Sequence, residues 1–113
     1  MSNFKHNTIR VLIVEPGKAP CPAEIPSGLE SLQHHVSGLI QALYPFEDSV
    51  AIICNDEGKL IGLPWNRPLF DEDGQIYDVI AGTFLVVGLM EDDFGSLTEE
   101  QEKRYTELFQ WIR

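Results

Sequence analysis

With 113 residues and 43% hydrophobic content, the chain is long enough for one domain that buries a real core without staples. Eighteen Asp and Glu stand against eight Lys and Arg, and the net charge of −10 argues against direct binding to nucleic-acid phosphates. No apolar run reaches the roughly 18 to 20 residues that cross a bilayer, so no membrane partner is expected.

In chain order, residues 1–7 read as a loose leader without the apolar core of a signal peptide, and 8–113 as a single α+β domain. Thr8–Val14 is β-branched and nearly all apolar, which predicts a central strand covered on most of its length. Glu15-Pro16-Gly17-Lys18-Ala19-Pro20 stops it, and Pro22–Ile25 reads as a short return strand at a sheet edge, where its proline is tolerated. Ser27 and Glu30 have the spacing of a capping box. Leu29, Leu32, Val36, Leu39, Ile40 and Leu43 then fall on one side of a 3.6-residue spiral, predicting a helix that Pro45 ends at or before Tyr44.

The apolar runs at 50–54 and 60–63, joined by Asn55–Lys59, predict a buried hairpin with Gly58 at positive φ. Residues 64–70 follow as a loop, and Asp71-Glu72-Asp73-Gly74 as a polar turn. Gly82 within Ile76–Leu89 predicts two strand pieces separated by a bulge or a close backbone approach. Glu91-Asp92-Asp93 opens a loop. Ser96 with Glu99 and Thr98 with Gln101 then compete to cap a second helix. Its inward stripe is Leu97, Tyr105, Leu108, Phe109 and Ile112, with Trp111 at the margin. The expected order is β-β-α-β-β-β-α, with two helices packed on a mostly antiparallel sheet.

Three stretches carry a resemblance. Ile9–Pro20 (IRVLIVEPGKAP), Cys54–Arg67 (CNDEGKLIGLPWNR) and Ile80–Gly88 (IAGTFLVVG), with Asp93–Glu100 closing the pattern, resemble a small bacterial domain family of unknown function. The resemblance covers roughly residues 9 to 110. It implies a habitat in phages, plasmids and conjugative elements of Gram-positive bacteria, and brings no established catalytic residues. Small proteins from that habitat often blunt host defences, an inference by association.

The sequence holds no recognisable catalytic constellation. His34 and His35 are adjacent, about 100° apart on a helix, so they do not converge on one ion as an i, i+4 pair would. His6 lies in the leader. No metal and no cofactor are expected. Cys21 and Cys54 lack CxxC spacing and read as reduced thiols of a cytoplasmic protein. Cys54 ends an apolar strand, where a thiol is usually a small buried hydrophobe. An enzyme reading ranks last and would rest on Cys54 or on Asp78, a half-buried carboxylate that a bridge to Arg67 or Lys59 also explains. Glu15–Lys18 fits an anion-holding turn or a plain strand end.

Two surfaces remain. From Pro68 to Glu102 the chain carries ten carboxylates and no Lys or Arg. Such a field either solvates turns and helix starts or imitates nucleic acid towards a basic protein groove. On the second reading Asp71, Glu72, Asp73, Asp78, Glu91, Asp92 and Asp93 bind a host protein, and the chain is a counter-defence inhibitor of anti-CRISPR or anti-restriction type. The alternative is a nucleotide-signal binder using Lys18, Lys59, Trp65, Asn66 and Arg67, with a pocket where two protomers of a homodimer meet. For the 64–67 loop a structural reading is equally open, with Trp65 capping the core and Arg67 pairing with Asp71 or Asp78.

Overall fold

The computed structural model describes residues 8–110, so the leader, His6, Trp111 and Ile112 lie outside the described residues. The elements are β1 (Thr8–Val14), β2 (Cys21–Pro26), α1 (Leu29–Val36), β3 (Ile40–Leu43), β4 (Val50–Asn55), β5 (Trp65–Phe70), β6 (Ile76–Ala81), β7 (Phe84–Leu89), β8 (Phe94–Gly95) and α2 (Glu99–Phe109). The α+β class stands, with three more strands than the sequence predicts.

Strand alternation explains the layering. Leu12, Val14, Val50, Ile52, Phe84 and Val86 point to one face of the main sheet, while Ile9, Val11, Ala51, Ile53, Leu85 and Val87 point to the other. Both sets are buried, which is why these strands read as continuous apolar runs. Leu32 and Val36 of α1 cover the second face. Tyr105 and Phe109 of α2, with Leu69 and Ile80 of the β5–β6 hairpin, cover the first. The main sheet runs β2-β1-β7-β4-β3, antiparallel throughout, and β8 pairs with the end of β7. β1 is an interior strand and β2 an edge, as predicted. No described helix is long and apolar enough to cross a membrane.

The first helix is half its predicted length. It ends at Val36, because Ser37 turns left-handed (φ 65°) and the amides of Ser37 and Gly38 bond back to His34 O and Gln33 O. Asn55 Nδ2 then donates to Val36 O and Ser37 O at 3.0 and 3.2 Å, and a Cβ at Gly38 would sit 2.7 Å from that nitrogen. Residues 40–43 therefore leave the helix and pair with β4 as an edge strand. Gly28, not Ser27, occupies the N-cap, and no side chain caps the helix, so the Ser27–Glu30 box does not form.

The hairpin at 50–63 is also corrected. β4 pairs with β3 and β7, and residues 56–62 form successive turns with Leu60 86% exposed. Gly58 keeps an ordinary φ, and its missing Cβ matters because one would lie 2.8 Å from Ala81 O. The expected loop at 64–70 is instead β5, paired with β6 in a separate two-stranded sheet. Gly82 (φ 84°) then carries the chain from that sheet into β7, with its N–H on Pro64 O at 2.6 Å. The second helix takes the Thr98 cap: Thr98 Oγ1 accepts from Gln101 N, and Gln101 Oε1 accepts from Thr98 N, both at 3.0 Å.

Candidate interaction surface

The residues around Trp65 split between surface and interior. The register shift between Trp65 and Pro68 turns two successive side chains, Asn66 and Arg67, inward. Trp65 stays 64% exposed, whereas Arg67 is 2% exposed. Asn66 Nδ2 donates to Val14 O and Gly82 O, both at 2.9 Å, tying β1 to the turn before β7. Arg67 donates from Nε to Phe109 O (3.0 Å), from one Nη to Asn66 Oδ1 (2.7 Å) and from the other to Lys18 O (2.6 Å). Its fork thus joins the end of α2 to the turn after β1, and its charge sits at the negative end of the helix dipole.

No carboxylate of the described residues pairs with Arg67, so the expected bridge to Asp71 or Asp78 is replaced by neutral oxygens. Burial pushes the guanidinium pKa down. Lys18 lies in a plain strand-ending turn, its N–H on Glu15 O and its ammonium 3.4 Å from Glu15. Lys59 pairs with Asp78 instead. The residues of the nucleotide-binding alternative therefore do not converge: Trp65 shows its ring to solvent, while the polar groups of Asn66 and Arg67 have internal partners.

The acids fall into three places. Asp71, Glu72 and Asp73 stand exposed at the β5–β6 turn, where Asp71 Oδ1 accepts from Asp73 N and Gln75 N. They form one wall of a groove of about 590 Å³, with Phe70 and Tyr77 beside them and Phe46 and Glu47 across it. Phe46 and Phe70 also line a neighbouring apolar cavity of about 330 Å³, closed by Pro68, Leu69, Leu108 and Phe109. Leu108, expected inward, is one of its partly exposed walls. Glu91, Asp92 and Asp93 occupy the β7–β8 turn, next to Leu89, whose N–H donates to Ser49 O at 2.9 Å. The 44–49 loop thus stands between the two acidic turns. Asp78 does not belong with them. It faces a separate polar cavity of about 360 Å³ with Lys59, Cys54 and Gln41. Its pKa is lowered, first by the hydrogen bond from Lys59.

One anchor of this surface had no signal in the sequence. Asp48 accepts from Tyr105 OH (2.8 Å), Gln101 Nε2 (3.1 Å), Arg104 Nη1 (2.8 Å) and Ser49 N (2.7 Å), which fastens the 44–49 loop to α2. The Tyr105 bond is the main reason its pKa is lowered. Tyr105 is pushed up to about 12, by burial first and by the Asp48 bond second. Asp48 lies 53 residues before Gln101, so its match to Gln101, Arg104 and Tyr105 at i, i+3 and i+4 spacing is recognisable only once the loop is placed on that helix face.

The remaining chemistry-bearing groups are quiet. Burial pushes the Cys54 thiol up to about 11, away from the thiolate that reactivity needs. His35 Nδ1 lies 2.9 Å from Ser31 O, and its ring packs edge-on to His34. Among the described residues no three His, Cys, Asp or Glu side chains cluster as a metal site would require.

No curated protein and no solved structure matches this chain significantly. Residues 9–110, nearly the whole of the described domain, match the family described as "Domain of unknown function (DUF3846)", and the chain belongs to that family.

Proposed function

We propose that this protein is a non-enzymatic docking protein that holds a Lys/Arg-rich segment of a host protein in the groove between the 44–49 loop and the β5–β6 turn. The observation that carries this reading is the meeting of Asp71, Glu72, Asp73 and Glu47 with the aromatic rings of Phe46, Phe70 and Tyr77 on one groove. The carboxylates steer a basic segment in and pair with it. The exposed rings of Phe70 and Tyr77 take guanidinium groups face-on. The adjoining apolar cavity of about 330 Å³ accepts an aliphatic or aromatic anchor from the same segment.

Basic segments of this kind line the nucleic-acid channels of defence nucleases. The resemblance to proteins of phages, plasmids and conjugative elements supports a counter-defence role of the anti-CRISPR or anti-restriction class. The test is affinity capture from a host carrying such systems, comparing the native chain with D71N/E72Q/D73N and with Y77A at low and high salt. The native chain should retain a nucleic-acid-binding protein that both variants lose and that salt elutes. Recovery of the same partners by all three proteins at every salt concentration would refute the reading.

A further inference from the structure

The two edges of the main sheet are guarded differently. β2, at one edge, carries Pro22, Glu24 and Pro26, the residue types that block strand addition. β3, at the other, reads Ile40-Gln41-Ala42-Leu43 and has neither proline nor charge. Around it, residues 36–44 contain no Asp, Glu, Lys or Arg, in a chain whose net charge is −10.

The register identifies which backbone groups are free. Asp56 N donates to Leu39 O at 2.8 Å, so Leu39, Gln41 and Leu43 face β4, while the N–H and C=O of Ile40 and Ala42 point away from it. Among the described residues these outward groups have no backbone partner. Exposed apolar side chains flank them: Leu39 and Tyr44 at the two ends, and Leu60 beside Gln41 and Leu43.

We infer that β3 is a dimerisation edge, pairing antiparallel with β3 of a second copy of this chain. With the two-fold axis at Gln41, Ile40 of each copy bonds Ala42 of the other, and Leu39, Tyr44 and Leu60 close over the seam. The occupant is a second copy because of charge. Two chains of −10 repel wherever their acidic faces meet, and residues 36–44 bring no charge of their own to the seam, while Asp56, Glu57 and Asp78 beside Gln41 and Leu43 share their cavity with Lys59. A basic partner gains nothing there. The strand is also self-complementary, as a two-fold interface requires. A four-residue edge with three apolar flanking side chains is small, so the dimer is concentration-dependent rather than obligate.

Sedimentation velocity across a wide concentration range, paired with amide hydrogen exchange, tests this. The mass should rise from monomer to dimer, and the Ile40 and Ala42 amides should gain protection in step. A42P removes only a donor that faces away from β4. L39E places like charges across the seam on a side chain already exposed. Each should weaken association about tenfold or more, and L39E alone decides the matter if A42P disturbs folding by circular dichroism. A monomer at every concentration, or a dimer that both folded variants leave unchanged, would overturn the inference.

Discussion

Arg67 offers the sharpest test of how this fold is held. In Arg67→Ala three hydrogen bonds from a buried cation disappear, and Phe109 O, Asn66 Oδ1 and Lys18 O lose their donor. Each bond to a charged group contributes about 1.5–3 kcal/mol when cut, and relief of the cation's desolvation returns part of the sum. The expected net loss is about 3–4 kcal/mol, against a total of roughly 5–15 kcal/mol for a small domain. With a urea slope of about 1.5 kcal/mol/M, the unfolding midpoint should fall by about 2 M. Arg67→Lys keeps the charge but cannot reach three acceptors with one ammonium, and should recover only part of the loss. A midpoint shift below about 0.5 M would refute the clamp. So would a stable Arg67→Ala that loses a bound ligand, because Arg67 would then be a recognition fork.

Two further outcomes follow from Asp48 and the two cysteines. Asp48 has a folded pKa below its unfolded value of about 3.9, so its contribution is fully present above that pH and drains as pH falls through the folded pKa. Asp48→Ala should cost about 2 kcal/mol near neutral pH and flatten the acid limb of the stability profile. Thermal melts of the two proteins from neutral to acid pH check this, and parallel profiles would contradict it. At about pH 8, a thiol reagent should modify exposed Cys21 and spare Cys54, pushed up to about 11, until denaturant is added. Equal labelling rates under native conditions would show that Cys54 is accessible after all.

Much of the fold was legible because its strands are buried on both faces and its turns carry strong punctuation. The runs at 8–14 and 84–89 and the Asp71–Gly74 turn are visible in the chain itself. The helix at 29–36 was over-extended because Leu39, Ile40 and Leu43 keep a helical spacing by coincidence. Ser37-Gly38 was the stop signal, and it acts through Asn55, nineteen residues from Val36, a partner that no local pattern reveals. Likewise, Trp65-Asn66-Arg67 looks like one surface motif in sequence. A register irregularity in β5 makes it one exposed ring and two buried polar groups. The acidic surface was half legible: its turns were evident, but the rings of Phe46 and Tyr77 join Asp71–Asp73 only in three dimensions.

What is left to meet a partner follows from which charges are already answered. Among the described residues Arg10 pairs with Glu102, Lys18 with Glu15, Lys59 with Asp78 and Arg104 with Asp48, while Arg67 is spent on neutral oxygens inside. Among the described residues, no basic side chain pairs with Asp71–Asp73 or Glu91–Asp93. Solvent ions or cations from another molecule relieve their mutual repulsion. The β3 edge makes the opposite demand, since its apolar rim and backbone groups gain little from charge. Ionic strength should therefore separate the two surfaces. Salt should release a partner held in the acidic groove, and should leave pairing at β3 intact or strengthen it by screening the two −10 chains from each other. Association at both sites that weakens in parallel with salt would mean that one charged surface serves both.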